Sequence, residues 1–255
     1  MKRLIAFAYG IACYGAFFVT FLYAVGFLGN IGVPKSIDSG PQRPLAVALL
    51  IDGALLAIFA IQHSVMARPW FKRAWTAIVP ETVERSTYVL FSSLALALMF
   101  YAWEPIGGVI WKTDGALAAI IYGLYVVGLG IVFLSTFLIN HFDLFGLRQV
   151  YLYMVGEKYT QLKFRTPFFY RYVRHPLYVG WLLTFWSAPV MTVAHLFFAI
   201  MTTAYILVAI QFEEKDLVTY HGDEYRRYRK QVPMLVPRLR GEAKKEVGER
   251  SAAAS

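Results

Sequence analysis

Arg174, His175, Pro176, Tyr178 and Gly180 fall within seven positions at the foot of an apolar stretch, and Glu213-Glu214 stand where that stretch ends. A guanidinium, an imidazole, a helix-starting proline, a phenol and a bare backbone are thus followed by two adjacent carboxylates on the same side. A membrane anchor has no use for this set. A site that holds a polar cofactor against an apolar substrate uses most of it. Proline pushes the residue before it out of helical geometry, so His175 is expected just ahead of a helix that begins at Pro176. The free amides of that first turn favour an anion, and Gly180 lets another group approach the backbone closely. Carboxylates suit ribose hydroxyls or an ammonium group. Adjacent helix positions point about 100° apart. One of Glu213 and Glu214 is therefore expected to face a pocket, and the other to pair with Lys215, Arg226 or solvent. Without further context the same residues also read as a juxtamembrane cluster, with Arg and His near headgroups and Tyr in an aromatic belt.

Further polar groups stand elsewhere. Asn140-His141-Phe142-Asp143 closes another apolar run, with Arg148-Gln149 just beyond. An aspartate can orient a histidine and stabilise the charge it gains with a proton. His141 and Asp143 share a face only where the backbone is extended; in a helix they diverge. The plainer reading is a polar helix terminus. Gln62-His63 and Asp52 lie within a third apolar run, where ionisable groups ordinarily face the bundle interior. His63 stands close to the inner boundary and is read as a satisfied interfacial histidine. Arg68, Trp70, Lys72, Arg73 and Trp75 read as headgroup anchors.

These residues must be positioned by helices in a bilayer. The chain of 255 residues is 58% hydrophobic and 16% charged, which places it in the membrane class. Runs 4–28, 46–67 and 117–140 are long enough to cross, and 86–103 is shorter but sufficient. The first run is too long for a signal-peptide core and no small-residue cleavage site follows it, so it reads as a retained span. The stretch 177–210 is too long for one ordinary span and carries Pro189 near its middle, so two short helices folded as a hairpin are expected. Residues 213–231 read as a cytoplasmic helix on which His221, Tyr225 and Arg229 share a face, ended by Pro233 and Pro237. The expected fold is all-α: a polytopic membrane bundle of four spans, a C-terminal helical hairpin and a cytoplasmic amphipathic helix. Residues 1–240 would form one domain with the site mainly over 140–232. Within it the aromatic and basic segment 140–174 would pack over the cytoplasmic mouth. Residues 241–255, without an aromatic residue, read as a disordered tail.

With the N-terminus inside, all but three of the 25 lysines and arginines fall on inner segments, the exceptions being Lys35, Arg43 and Lys112. That asymmetry predicts cytoplasmic N- and C-termini. The net charge of +9 then speaks of topology and of membrane lipid, and nucleic acid is not an expected partner. The single cysteine, Cys13, forms no disulfide within the chain, and no Cys/His cluster suggests a metal.

Arg174-His175-Pro176-x-Tyr178-x-Gly180, then Glu213-Glu214, then Gly222-x-x-Tyr225-x-x-Tyr228 resembles the C-terminal signature of the isoprenylcysteine carboxyl methyltransferase and phospholipid methyltransferase superfamily. These are integral membrane enzymes that use S-adenosylmethionine. A closer resemblance runs over nearly the whole chain. Pro34-Lys35-Ser36-Ile37-Asp38, Gln62-His63-Ser64-Val65-Met66-Ala67-Arg68-Pro69, Glu84-Arg85-Ser86-Thr87-Tyr88 and Asn140 to Gln149 look like the bacterial methanethiol S-methyltransferases. The resemblance implies methyl transfer from S-adenosyl-L-methionine to methanethiol, a small volatile thiol, giving dimethyl sulfide at a bacterial inner membrane. By motif, His175, Tyr178, Gly180 and one or both of Glu213 and Glu214 would hold the cofactor, with Arg174 and Tyr225 beside them. The superfamily motif supplies no base.

A thiolate is the competent nucleophile, and an alkyl thiol is mostly protonated at neutral pH. His141, oriented by Asp143, is the expected proton acceptor, with Arg148 ordering the inner segment as a lid. Rival readings are a methyltransferase for a larger thiol or a prenylcysteine carboxylate, and a non-catalytic membrane protein that binds lipid or a small metabolite. The second of these would not bind S-adenosylmethionine.

Overall fold

The computed structural model describes residues 1–237, so the expected tail at 241–255 lies outside the described residues. In chain order the elements are α1 (Lys2–Gly29), α2 (Leu45–Ala67), α3 (Pro69–Trp75), α4 (Glu81–Ala102), β1 (Val109–Lys112), α5 (Gly115–Ile139), α6 (His141–Leu144) and α7 (Leu147–Val155). A 3₁₀ turn at Phe168–Arg171 leads to α8 (Pro176–Trp186), β2 (Val190–Thr192), α9 (Val193–His221) and α10 (Asp223–Gln231). Five of these helices, α1, α2, α4, α5 and α9, are long and apolar enough to cross a membrane. Their outward side chains include Leu50 and Val126, both well exposed, because the solvent for that face is lipid. This is an all-α, multi-pass membrane protein.

The hairpin is unequal. Two short arms were expected, whereas α8 has 11 residues and α9 has 29, a full candidate span. The chain leaves α8 at Ser187, and Pro189 lies in the connection, where its missing N–H costs no helical bond. The tip is sewn down by the antiparallel pair β1–β2, by the Trp111 indole donating to the Ala188 carbonyl at 3.0 Å, and by the Thr113 hydroxyl on the Pro189 carbonyl at 3.0 Å. The Thr192 hydroxyl then accepts the His195 amide at 3.1 Å and caps α9.

The helix expected over 213–231 is two helices. Nothing breaks α9 before Gly222, whose φ of +58° disfavours any residue with a side chain, and α10 starts anew beyond it. Glu213 and Glu214 therefore sit two turns inside α9 rather than at its end.

Helices α1, α2, α4 and α7 pack among themselves, as do α5, α8 and α9, and α2 meets α9 between the two groups. In the second group, α8 lies antiparallel against α5 at a contact of two glycines. A Cβ on Gly180 would stand 2.7 Å from the Gly128 carbonyl oxygen, and one on Gly128 would stand 2.8 Å from that of Gly180. The closeness proposed for Gly180 is thus to a helix. Segment 140–174 spreads along the inner face: α7 buries Val150 against Gly10 of α1, and Phe164 packs on His221, Tyr225 and Tyr228.

Candidate active site

The foot of the α8–α9 hairpin is built from backbone upward. His175, with φ −124° and ψ 62°, stays out of helical geometry ahead of Pro176 at the first helical position, as the proline requires. The amides of Arg174 and His175 donate to the carbonyls of Pro233 and Met234 at 2.9 and 3.2 Å, so the chain after α10 is laid against this segment. Arg174 fastens it further. Its Nε donates to Glu214 Oε1 at 2.6 Å and a terminal nitrogen reaches the carbonyls of Arg229 and Val232, at 3.1 and 2.5 Å.

His175 lies between the two glutamates. Its Nε2 is 3.1 Å from Glu214 Oε1, and its Nδ1 is 3.9 Å from Glu213 Oε2. The two carboxylates do diverge around α9, but an imidazole carries nitrogens on separate edges and so meets both. The expected partners of the second glutamate were wrong. Glu214 pairs with Arg174 and His175, with Arg229 at 3.7 Å, while Arg226 binds Asp223 at 2.8 Å. Two cations and an imidazole close around a buried carboxylate, which is the condition for keeping a charge out of water.

Glu213 is the accessible member. Its side chain is 41% exposed against 7% for Glu214. The Tyr178 hydroxyl donates to its Oε2 at 2.9 Å, which fixes the carboxylate while leaving Oε1 free of described partners. Tyr225 is buried beneath, against Phe164 and Tyr228. Burial, and then the charges of Glu214 and Glu213, push its phenol up, so it stays neutral. Burial likewise raises Tyr228 to about 12, and its hydroxyl donates to the Tyr170 carbonyl at 2.6 Å. Of the expected cofactor residues, the fold brings Arg174, His175, Tyr178, Glu213, Glu214 and Tyr225 together. Gly180 is turned into the α5 contact.

The pairing expected between His141 and Asp143 does not form. Residues 141–144 make a helical turn, and its geometry points the two side chains apart. Asp143 instead accepts from Arg148 at 2.9 Å and from the Tyr159 hydroxyl at 3.3 Å. Arg148 also grips Thr160 twice at 2.8 Å, through its carbonyl and its hydroxyl, and so ties the inner segment to α7. His141 is boxed by aromatic rings, stacked on Phe137 at 4.2 Å. Both its nitrogens are engaged: Nε2 with the Tyr14 hydroxyl and Nδ1 with the Thr136 hydroxyl, each at 2.8 Å. Burial holds its imidazole below the usual histidine range.

A second polar cluster lies one to two turns deeper. His63 of α2 meets Ser92 Oγ at 3.1 Å through Nδ1 and the Tyr88 hydroxyl at 2.9 Å through Nε2. Next to it Ser64 and Tyr205 join α2 to α9, hydroxyl to hydroxyl, at 3.1 Å, and Arg68 binds Asp216 at 2.7 Å. Sequence reading gave Tyr88 no role beyond its place in the Glu84–Tyr88 motif, and passed over Ser92 and Tyr205. The available signal was that Tyr88 and Ser92 are four apart and so share a face of their helix.

Comparison with known proteins places these residues among relatives. The chain is 63% identical over 238 residues to a methanethiol S-methyltransferase of Crocosphaera subtropica, covering 93% of each chain. It is 53% identical over 237 residues to methanethiol S-methyltransferase 2 of Bradyrhizobium diazoefficiens, covering 93% of this chain and 92% of the relative. A more distant likeness, 30% over 223 residues, is to Nurim of Rattus norvegicus, covering 80% and 83%. No family model matches the chain, and no solved structure does.

Proposed function

The chain belongs to the methanethiol S-methyltransferase family, and from that premise we propose that it methylates methanethiol to dimethyl sulfide with S-adenosylmethionine, by in-line displacement. The proposed setting is the cytoplasmic side of a bacterial inner membrane, with both termini cytoplasmic. Lys2 and Arg3 at one end and the basic residues of α10 at the other support that orientation.

The observation that carries the reading is the split between the two glutamates. Glu214 is buried in ion pairs, whereas Glu213 is positioned by Tyr178 and half exposed. A positioned, accessible carboxylate fits ribose hydroxyls or the ammonium group of an amino-acid moiety. Glu213, Tyr178 and His175 would hold the cofactor, and Arg174, Glu214 and Tyr225 would build the floor beneath them. Bound there, S-adenosylmethionine supplies a methyl group on a positively charged sulfur.

The chain's own part is to bind, orient and exclude water. Aromatic rings of α1 and α8, with Phe145 just beyond α6, pack on one another: Phe17 on Phe145, Phe21 on Trp181 and Trp181 on Phe185. A small thiol partitions into lipid and suits such rings. In a space poor in water, fixed charges act more strongly than at a surface.

The test is headspace gas chromatography on purified protein given methanethiol and S-adenosylmethionine. Dimethyl sulfide from the parent and at least 10-fold less from Glu213→Gln, on the order of one charged hydrogen bond, is the expected result. No dimethyl sulfide from folded parent protein rejects methanethiol as the substrate, and absence of cofactor binding as well rejects the methyltransferase reading.

A further inference from the structure

The His63 cluster has no part in the foot described above, yet it is polar and faces the same interior. Its protonation pattern follows from hydrogen-bond bookkeeping. The Ser92 hydroxyl gives its proton to the Tyr88 carbonyl at 3.0 Å, so towards His63 it is an acceptor and Nδ1 carries the hydrogen. The Tyr88 hydroxyl lies 2.9 Å from Nε2 and 3.0 Å from Nδ1; with the hydrogen on Nδ1, Nε2 is the nitrogen able to accept a proton from it. Phe59 stacks on the imidazole with ring centroids 5.2 Å apart and holds it in place.

Near the pair stand Arg85 of α4, its guanidinium 5.2 Å from the Tyr88 ring centroid, and Tyr205 of α9, its ring 6.2 Å from that of Phe59 and its hydroxyl 3.1 Å from that of Ser64. His141 has a similar hydrogen-bond pattern, but the His63 pair is the one tied to the helix that carries Glu213: Phe59 packs on both His63 and Tyr205, and Tyr205, eight residues before Glu213 on α9, meets the Ser64 hydroxyl at 3.1 Å.

We propose that Tyr88 and His63 take the proton of the thiol. The S–H bond breaks as its proton passes to the Tyr88 hydroxyl oxygen, and the proton already on that oxygen passes to His63 Nε2. The thiol is left as thiolate and the imidazole as imidazolium, with Tyr88 restored. The imidazolium then loses its proton to water before the next turnover. This assignment rests on the methyl transfer proposed above.

The test compares methanethiol with methaneselenol, a substrate of the same shape that is already ionised at neutral pH. In His63→Gln, turnover of methanethiol should fall about 100-fold or more, the usual contribution of general base catalysis. Turnover of the selenol should stay within a few-fold of the parent, and S-adenosylmethionine binding by calorimetry should be unchanged. Equal loss on both substrates, or no loss on either, overturns the proposal. If His63→Gln does not fold, Tyr88→Phe keeps the ring in place and removes the relay oxygen; the same substrate contrast must appear, and its absence overturns the proposal. Failure of the parent protein on both substrates would instead count against the methyl transfer itself.

Discussion

Tyr178 and Glu213 meet across the α8–α9 hairpin, phenol to carboxylate at 2.9 Å, and so define a positioned carboxylate at this foot with access to solvent. Its neighbour Glu214 has the opposite fate, buried against Arg174 and His175. Adjacent residues of one helix thus divide into an accessible, positioned carboxylate and a buried, ion-paired one.

That division predicts contrasting variants. Glu214→Gln leaves Arg174 buried without its countercharge and should destabilise the protein by about 3–5 kcal/mol. Glu213→Gln removes a half-exposed charge and should leave thermal unfolding in detergent nearly unchanged while weakening S-adenosylmethionine binding about 10-fold or more. Calorimetry and an unfolding scan on both variants check this, and a reversed pattern refutes it.

The α5–α8 contact predicts a sharp steric effect. Gly180→Ala places a methyl 2.7 Å from the Gly128 carbonyl oxygen and 2.8 Å from the Val132 nitrogen, both backbone atoms that cannot swing aside. A loss of about 1–3 kcal/mol is expected. Gly130→Ala, which meets nothing within 4 Å, should be neutral or slightly stabilising, since it lies within α5. Thermal unfolding of the pair separates a packing role from general intolerance of substitution.

His141 predicts a pH dependence. Burial lowers its pKa in the folded protein, while in the unfolded chain it titrates near about 6.5. Below that value the unfolded state binds the extra proton, so stability is full at higher pH and is lost as pH falls through about 6.5 toward the folded value. Unfolding scans from about pH 8 to about pH 5 should show a steeper acid loss for the parent than for His141→Gln. Parallel curves would remove His141 from this role.

Topology makes a separate prediction. With Cys13 replaced by Ser, a cysteine at Lys112 should react with an impermeant maleimide on intact cells, and one at Lys230 only after the membrane is opened. The reverse reactivity would invert the proposed orientation.

Much of this was legible in the sequence because it is local. Hydropathy alone located α1, α2, α4 and α5, since lipid demands apolar side chains all round. The start of α8 was readable from Pro176, which keeps His175 out of the helix. What escaped depends on contacts between distant segments. The pairing of 109–112 with 190–192 stitches the hairpin tip and lets α9 begin as a full span. His175 sits between both glutamates only because α8 and α9 cross at their feet. The expected His141–Asp143 dyad failed for a local reason: three residues of helix in place of extended chain turn Asp143 toward Arg148. Tyr88 and Ser92 carry no pattern of their own, and they acquire meaning only where α4 brings them to His63 of α2.

The most direct measurement follows the methyl group itself. Purified protein would be given methanethiol and S-adenosylmethionine deuterated in its methyl, and the headspace analysed by mass spectrometry. The account predicts dimethyl sulfide carrying the intact label in one methyl, with the yield sharply lower for Glu213→Gln. Unlabelled dimethyl sulfide, or none from folded protein that binds the cofactor, would contradict it.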